Sequence, residues 1–147
     1  MRLALALTCV FGETRALADH GDAATLEIIL KHHAQIAAAA AKVGARVVKY
    51  MGSGALLTFP EQRVREAVAA LRALQVDGTR LWSAFDSRCS VRVNVTAGTT
   101  IAGMFGAGEH ARYDVFGHAV NQLFKAPWGH DVQVLPEAAA LLNDKPA

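Results

Sequence analysis

Two polar side chains near the end of the chain are spaced so that they can act together. Asn121 and Lys125 are four residues apart in the segment 117–126, which a glycine and a following proline bound as a short helix. Residues four apart on a helix share a face, so an amide and a cation would lie side by side. A fixed cation can stabilise negative charge that develops in a reaction. From spacing alone, Asn121 could equally be a buried polar residue with a local partner.

The glycine and histidine patterns do not support two common kinds of site. Gly103, Gly106 and Gly108 do not precede a Lys-Ser or Lys-Thr pair, so they form no Walker phosphate loop. The histidines show neither HExxH nor CxxC…HxxxH spacing, and the neighbours His32 and His33 diverge on a helix. The sequence therefore predicts no metal site built from histidines.

Composition narrows the class of protein. The chain has 147 residues, of which 52% are apolar, and this is enough to bury one continuous core. Lysine and arginine number 15 against 13 acidic residues, and no basic run marks a nucleic-acid surface. No apolar run approaches the length of a membrane span. We therefore expect one domain over residues 1–147, with no nucleic-acid partner and no membrane span.

The first apolar segment, residues 3–11, has two interpretations. Leucines alternate with smaller residues in it, as they would in a strand. A signal peptide is the alternative, because residues 16–18 (Ala-Leu-Ala) resemble a cleavage site. Cys9 and Cys89 both lie in strand-like segments and form no secreted disulfide pattern, which favours a strand and a reducing, cytoplasmic location. Cleavage within residues 1–18 stays an open alternative.

Hydrophobic periodicity predicts the elements of the first half. Gly12 breaks the first strand before a polar turn, and a long helix follows from about Asp22 to Gly44. Its apolar stripe predicts a core-facing side made of Leu26, Ile29, Leu30, His33, Ile36, Ala37 and Ala40. Two short apolar segments, 46–50 and 55–59, are joined through glycines and predict an antiparallel hairpin.

The second half continues the alternation. A helix opens at Pro60-Glu61, buries Val64, Ala67, Val68, Leu71 and Leu74, and ends between Gln75 and Gly78. We then expect strands at 81–85 and 89–96, a glycine-rich stretch from 98 to 108, a helix at 117–126, a strand at 132–135 and a last helix at 136–142. This order predicts an α+β fold, with a mostly antiparallel sheet covered by helices.

Several segments follow, in order, the motifs of one family. Residues 7–14 lie over the pattern F-A-D-I-x-G-S-T, and residues 48–54 lie over V-K-x-M-G-D-G. Residues 92–103 and 113–121 follow R-x-G-x-H-T-G-x-x-x-A-G and Y-D-V-x-G-x-x-V-N. Over nearly the whole chain, this order resembles the catalytic domain of class III adenylate and guanylate cyclases. The resemblance implies a ferredoxin-like core and a site formed between two chains.

The aspartates of the first two motifs are replaced here. The resemblance implies that they hold two divalent cations, which activate the ribose 3′-oxygen for attack on the α-phosphate. Cys9 and Ser53 stand at their positions. Mg²⁺ prefers carboxylate oxygens, so an uncharged hydroxyl and a soft sulfur would not hold it. We expect no metal cofactor for the protein alone, and Mg²⁺ or Mn²⁺ only if a partner completes the site.

Four other positions retain chemistry that suits a nucleotide. The resemblance places Lys49 and Asp114 where adenylate cyclases read the edge of the base, as substrate-binding residues. It places Asn121 at a catalytic asparagine that orients the ribose, and Lys125 at an arginine that stabilises the transferring phosphate. A lysine keeps that charge but loses the bidentate fork. Without the motif context, Lys49 and Asp114 would be interpreted as solvated charges at a strand edge.

The resemblance leads to two competing functions. The first is a pseudo-cyclase that has lost cyclase activity and acts as a nucleotide-binding or regulatory domain. The alternative is a half-site subunit of an adenylate cyclase, completed by a partner chain that supplies the metal aspartates. An active homodimeric cyclase, a phosphorus-oxygen lyase, would need metal ligands from elsewhere in the chain. In each case we expect a homodimer or a heterodimer with another cyclase domain, and ATP as the candidate ligand.

Overall fold

A computed structural model of the protein describes residues 1–143. Its strands are β1 (Arg2–Phe11), β2 (Arg46–Met51), β3 (Gly54–Pro60), β4 (Ser90–Thr99), β5 (Ile101–Phe105), β6 (Arg112–Phe116) and β7 (Val132–Val134). Its helices are α1 (Glu13–His20), α2 (Asp22–Val43), α3 (Val64–Phe85), α4 (His118–Lys125) and α5 (Pro136–Asn143). Short 3₁₀ turns cover Glu61–Arg63 and Gly108–His110.

The main sheet has five strands in the order β2-β3-β1-β4-β7. The central strand, β1, pairs antiparallel with β3 on one side and β4 on the other, while β7 runs parallel to β4. Strands β5 and β6 form a separate antiparallel pair. The predicted α+β fold with a mostly antiparallel sheet is therefore confirmed.

Both faces of β1 are buried, which explains why its apolar run is nearly continuous. Successive side chains of a strand point to opposite faces. Ala4 and Ala6 belong to the larger core, formed with α2, α3 and α5, whereas Leu5 and Leu7 belong to a second core against β6 and α4. The next residue in the second series is Cys9, so the end of β1 directs the cysteine to the face that carries α4.

The segment after β1 is a helix, not the predicted polar turn. Gly12 does break the strand, with a φ of 89° that favours glycine. A Cβ there would lie 2.6 Å from the carbonyl oxygen of Arg88, so no larger residue fits. Helix α1 then begins at Glu13, and this carboxylate enters the region of the candidate site.

Helix α3 continues through the predicted stop at 75–78, and the predicted strand at 81–85 is its last turn. Gly78 is buried inside the helix because a Cβ would lie 2.8 Å from Cε1 of His32 on α2. It is therefore a close-packing glycine and not a helix end. Trp82, which lies within the predicted strand, is fully buried on the same helix.

The buried face of α2 is rotated from the predicted stripe. Leu26 and Leu30 are 52% and 57% exposed. The residues buried on α2 are Thr25, His32, Ile36, Ala40 and Val43. Many alanines in the second half of the helix weaken the periodic signal, and the polar Thr25 and His32 do not register as core residues. The apolar face formed by Leu26 and Leu30 is left exposed within the chain.

Candidate functional site

The end of β1 lies directly against the turn between β2 and β3. Thr8 pairs with Ala55 across the two strands, and the Ala55 amide donates a hydrogen bond to Oγ1 of Thr8 at 2.9 Å. A Cβ on Gly54 would lie 2.4 Å from the Thr8 carbonyl oxygen. This close approach brings together the neighbourhoods of Cys9 and Ser53, the two positions that the family resemblance assigns to metal aspartates.

A carboxylate that the sequence analysis missed lies between these two segments. The hydroxyl of Ser53 donates a hydrogen bond to Oε2 of Glu13 at 2.5 Å. Ser53 is only 3% exposed, and Glu13 is half-buried at the first residue of α1. The signal was present in the sequence, because Glu13 stands where the first motif has a serine.

Cys9 is a neutral thiol at neutral pH. Burial raises the pKa of the Cys9 thiol, the Glu13 carboxylate raises it further, and the Arg92 guanidinium opposes the shift. Mg²⁺ binds hard oxygen ligands, so a protonated sulfur does not serve it. Within residues 1–143, no group of three acidic, histidine or cysteine side chains is arranged to hold a metal. The residues around Cys9 and Ser53 therefore do not fit a Mg²⁺ pair.

An open cavity of about 610 Å³ lies beside this cluster. Its lining comes from the end of β1, the start of α1 and the start of β4: Cys9, Val10, Phe11, Gly12, Glu13, Thr14, Arg15, Arg88, Ser90 and Arg92. The Arg92 guanidinium lies 3.7 Å from the centre of the Phe11 ring and donates to the Gly129 carbonyl at 3.1 Å. Arg88 is paired with Asp19 and Asp86. Arg15 and Arg92 leave this cavity with cationic character.

The predicted base-reading residues contact each other. Lys49 on β2 lies 3.0 Å from Oδ2 of Asp114 on β6, and both side chains are partly exposed. Partial burial alone would raise the pKa of Asp114, but the Val115 amide and the Lys49 ammonium together hold it below its ordinary value. Beside this pair, the Arg46 guanidinium stacks 3.4 Å from the centre of the Tyr113 ring. Strands β2 and β6 are thus joined by an ion pair and a cation–π contact.

The predicted helix pair lies at a second cavity. Asn121 and Lys125 are exposed on α4, while Ala119, Val120 and Leu123 anchor its other side in the second core. The cavity has a volume of about 390 Å³ and lies between α4 and the start of α5. It is lined by His118, Asn121, Gln122, Lys125, Ala126, Leu135, Pro136 and Glu137. Lys49 and Asp114 are not among its lining residues.

One chain therefore holds three separate groups. The structure brings Lys49 to Asp114, Asn121 to Lys125, and Ser53 to Glu13 near Cys9. It does not bring the four predicted site residues Lys49, Asp114, Asn121 and Lys125 into one pocket within residues 1–143. Within residues 1–143, no helix is both long and apolar enough to cross a membrane.

Comparison with protein families identifies the family. A model of the adenylate and guanylate cyclase catalytic domain matches residues 5–145. A comparison with curated proteins found no match.

Solved structures of cyclases share the fold. The adenylyl cyclase CyaB from P. aeruginosa superposes with a TM-score of 0.84 at 18% identity, covering 96% of this chain and 80% of that chain. The guanylyl cyclase Cya2 superposes with a TM-score of 0.78 at 14% identity, covering 98% and 79%. A class III adenylyl cyclase-like ATP-binding protein from Pseudomonas aeruginosa superposes with a TM-score of 0.80 at 14% identity. The match covers 96% of this chain but 34% of that protein.

Proposed function

The chain belongs to the adenylate and guanylate cyclase catalytic domain family, and from this premise we propose that it is a pseudo-cyclase. In this proposal the domain binds a nucleotide, or a partner domain, without cyclising the nucleotide itself. The observation that carries the proposal is the pairing of Ser53 with Glu13 at a position where the family motif has an aspartate.

The chemistry of cyclisation explains why this position matters. The ribose 3′-oxygen must lose its proton and attack the α-phosphate, forming the cyclic ester while diphosphate leaves. Carboxylate-bound cations supply that activation in the family. Here the Ser53 hydroxyl is uncharged, the Cys9 thiol is protonated, and the Glu13 carboxylate already accepts the Ser53 hydrogen bond. The protein alone would therefore not activate the 3′-hydroxyl for attack.

The groups that would recognise a nucleotide are present. Asp114 can accept a hydrogen bond from the amino group of adenine, and Lys49 can donate one to the neighbouring ring nitrogen. Both must first give up part of the ion pair that joins them. Lys125 would attract phosphate charge, and Asn121 on the next turn would contact the ribose. These contacts support weak, metal-independent recognition of an adenine nucleotide.

The half-site subunit is the second candidate. It is favoured by the retention of Lys49, Asp114, Asn121 and Lys125 beside the replaced residues Cys9 and Ser53. A partner domain with both aspartates would contribute Mg²⁺ or Mn²⁺ and the activated oxygen. This chain would contribute the base-reading and phosphate-binding residues. A heterodimer would then hold one complete site for converting ATP into cyclic AMP and diphosphate.

Exposed apolar side chains support an assembly in both candidates. Ile101 and Phe116 are cross-strand neighbours on the β5–β6 pair, and each is 60% exposed. Met104 on β5 is 67% exposed. Such a cluster on a small two-stranded sheet is typical of a surface that another chain covers. We propose a homodimer or a heterodimer with another cyclase domain, in a reducing compartment such as the cytoplasm, where Cys9 and Cys89 stay free.

One experiment separates the candidates. The purified protein is mixed with ATP and either Mg²⁺ or Mn²⁺, alone and together with an intact cyclase domain, and both binding and cyclic AMP are measured. A pseudo-cyclase binds ATP, forms no cyclic AMP alone, and leaves the amount of cyclic AMP formed by the intact domain unchanged. A half-site subunit raises cyclic AMP formation by the intact domain, and Asn121→Ala removes that increase. Cyclic AMP formed by the protein alone would contradict both candidates.

A further inference from the structure

The turn between β2 and β3 is held from two sides by side chains of the first two helices. On one side, Ser53 donates to Glu13 of α1 at 2.5 Å. On the other, Nε2 of His33 on α2 donates to the Gly52 carbonyl at 2.7 Å, and the His33 ring stacks on Tyr50 at 4.1 Å between centroids. In the family motif this turn carries a metal aspartate, so a cation would contribute to its position. Here Glu13 and His33 hold it.

We propose that the Glu13–Ser53 hydrogen bond replaces the divalent cation as the link between the β1–α1 segment and the β2–β3 turn. The inference rests on the proposed pseudo-cyclase function and assigns a positioning role to Glu13. Glu13 and Ser53 form a matched pair of one hydrogen-bond acceptor and one donor. The hydroxyl satisfies the carboxylate, and the carboxylate gives the nearly buried hydroxyl its acceptor.

The environment explains why one carboxylate is tolerated here without a cation. Glu13 and Arg92 line the same open cavity as Cys9, so a negative and a positive side chain lie near the thiol. A hydrogen bond to an ionised group is stronger than one between neutral groups. A second carboxylate in place of Ser53 would face Glu13 directly and would need a cation between them.

The link also bears on the candidate nucleotide site. Lys49 lies on β2, four residues before Ser53, and its ammonium contacts Asp114 on β6. A turn that stays in place without metal keeps β2 in its register with β3. Glu13 would thus position Lys49 through the hairpin without contacting a ligand itself.

The first part of the test compares thermal unfolding of four proteins in EDTA: the wild type, Glu13→Ala, Ser53→Ala and the double variant. A hydrogen bond to a charged group predicts that each single variant lowers Tm by about 3 to 6 °C. The double variant should melt within about 1 °C of the less stable single variant, because both remove the same interaction. Glu13→Gln should lower Tm less than Glu13→Ala does, since the amide oxygen still accepts a hydrogen bond from the Ser53 hydroxyl.

A matched control uses another acidic residue. Glu27→Ala removes an exposed carboxylate of α2 whose partner is Lys31 on the same helix, and it should shift Tm by less than about 1 °C. If the decrease in Tm of the double variant equals the sum of the decreases in Glu13→Ala and Ser53→Ala, the two residues act independently. That result would overturn the proposal.

The second part asks for a response to a cation, which a merely structural residue would not produce. Ser53→Asp should melt below the wild type in EDTA and regain stability in millimolar MnCl₂, since two facing carboxylates form an oxygen site. The wild type should melt at the same temperature with and without MnCl₂. A wild-type Tm that rises with MnCl₂, and no longer rises in Glu13→Ala, would overturn the proposal by making Glu13 a metal ligand. No nucleotide is present, so failure of ATP binding in a separate assay leaves this result unchanged.

Discussion

The ammonium of Lys49 lies 3.0 Å from Oδ2 of Asp114, so the two groups predicted to read a base are already paired with each other. They are 65 positions apart in the chain and lie on different sheets. A base that binds here must break the contact between Lys49 and Asp114 and form one contact with each of them. This competition limits the affinity that base recognition alone can supply.

We therefore expect weak binding with a preference for adenine. Without a metal to neutralise the triphosphate, the dissociation constant for ATP should be roughly 0.1 to 1 mM. GTP should bind more weakly, because guanine presents a carbonyl oxygen where adenine presents an amino group, and Asp114 would face it unpaired. NMR titration with both nucleotides measures this preference. Asp114→Ala should abolish it, while Asp77→Ala, an exposed aspartate on α3, should preserve it.

The cation–π contact between Arg46 and Tyr113 should support the same site. Tyr113→Phe keeps an aromatic ring under the guanidinium and should bind ATP like the wild type. Tyr113→Ala removes the ring and should weaken ATP binding by about two- to fivefold, the range expected for an exposed contact of this kind. Equal affinities of Tyr113→Ala and the wild type would show that ATP binding does not depend on the cation–π contact.

Local sequence patterns predicted the elements that position the site. Three local signals predicted them: the alternation in β1, the glycines of the β2–β3 turn, and the glycine and proline that bound helix α4. Each signal depends only on residues that are close together in the sequence. The predicted helix end at Gly78 was wrong, because only the contact of this residue with His32 on another helix explains a glycine inside α3. The predicted burial of Leu26 and Leu30 was wrong for a related reason, since the elements that pack against α2 determine which of its faces is buried.

Motif order proposes positions for the candidate site, but it does not predict the contacts that these residues make. Motif order located Lys49, Asp114, Asn121 and Lys125 without showing that the first two would pair. Glu13 was missed because its position in the motif holds a serine, which is not one of the two metal aspartates. Its hydrogen bond to Ser53 joins residues 40 positions apart, and no spacing rule predicts such a contact.

Restoring the family residues should recover some activity. Cys9→Asp and Ser53→Asp together, with Glu13→Ser to remove the facing carboxylate, should form measurable cyclic AMP from ATP and Mn²⁺. Adding Lys125→Arg should raise the rate by on the order of tenfold to a thousandfold, as for other lost transition-state donors. Asn121→Ala in the restored protein is the negative control. A restored protein that binds Mn²⁺ and stays inactive with Arg at position 125 would show that other parts of the site are lost.

Assembly should depend on the exposed pair on β5 and β6. We expect light scattering to give the mass of a dimer, and the combined change Ile101→Lys with Phe116→Glu to give a monomer. These substitutions replace an apolar cross-strand pair with an opposite-charge pair, so the two strands keep a favourable contact. Val76→Glu, at an exposed apolar residue of α3, should remain dimeric. A wild type that stays monomeric at high concentration would contradict the homodimer.

Stability should decrease in mild acid because of His32. Its side chain is fully buried between α2 and α3, and its Nδ1 lies 3.0 Å from Oε1 of Gln35. Its Nε2 has no hydrogen-bond partner among residues 1–143, and the ring packs edge-on against Trp82. Burial lowers the pKa of His32 below its ordinary value of 6.5, and the contact with Gln35 only partly opposes this shift. The imidazole is therefore neutral in the folded protein at neutral pH.

The sign of the effect follows from proton binding. Below pH 6.5 the unfolded chain binds a proton at His32 more readily than the folded chain does, so the free energy of unfolding falls as the pH drops through that value. Above it, His32 contributes no pH dependence. Urea midpoints measured between about pH 7.5 and pH 5.5 should fall for the wild type. They should fall less for His32→Gln, which cannot titrate, whereas His110→Gln, at an exposed histidine, should retain the full wild-type slope. Equal slopes for His32→Gln and the wild type would assign the acid sensitivity to other groups, because only the buried imidazole is removed in that variant.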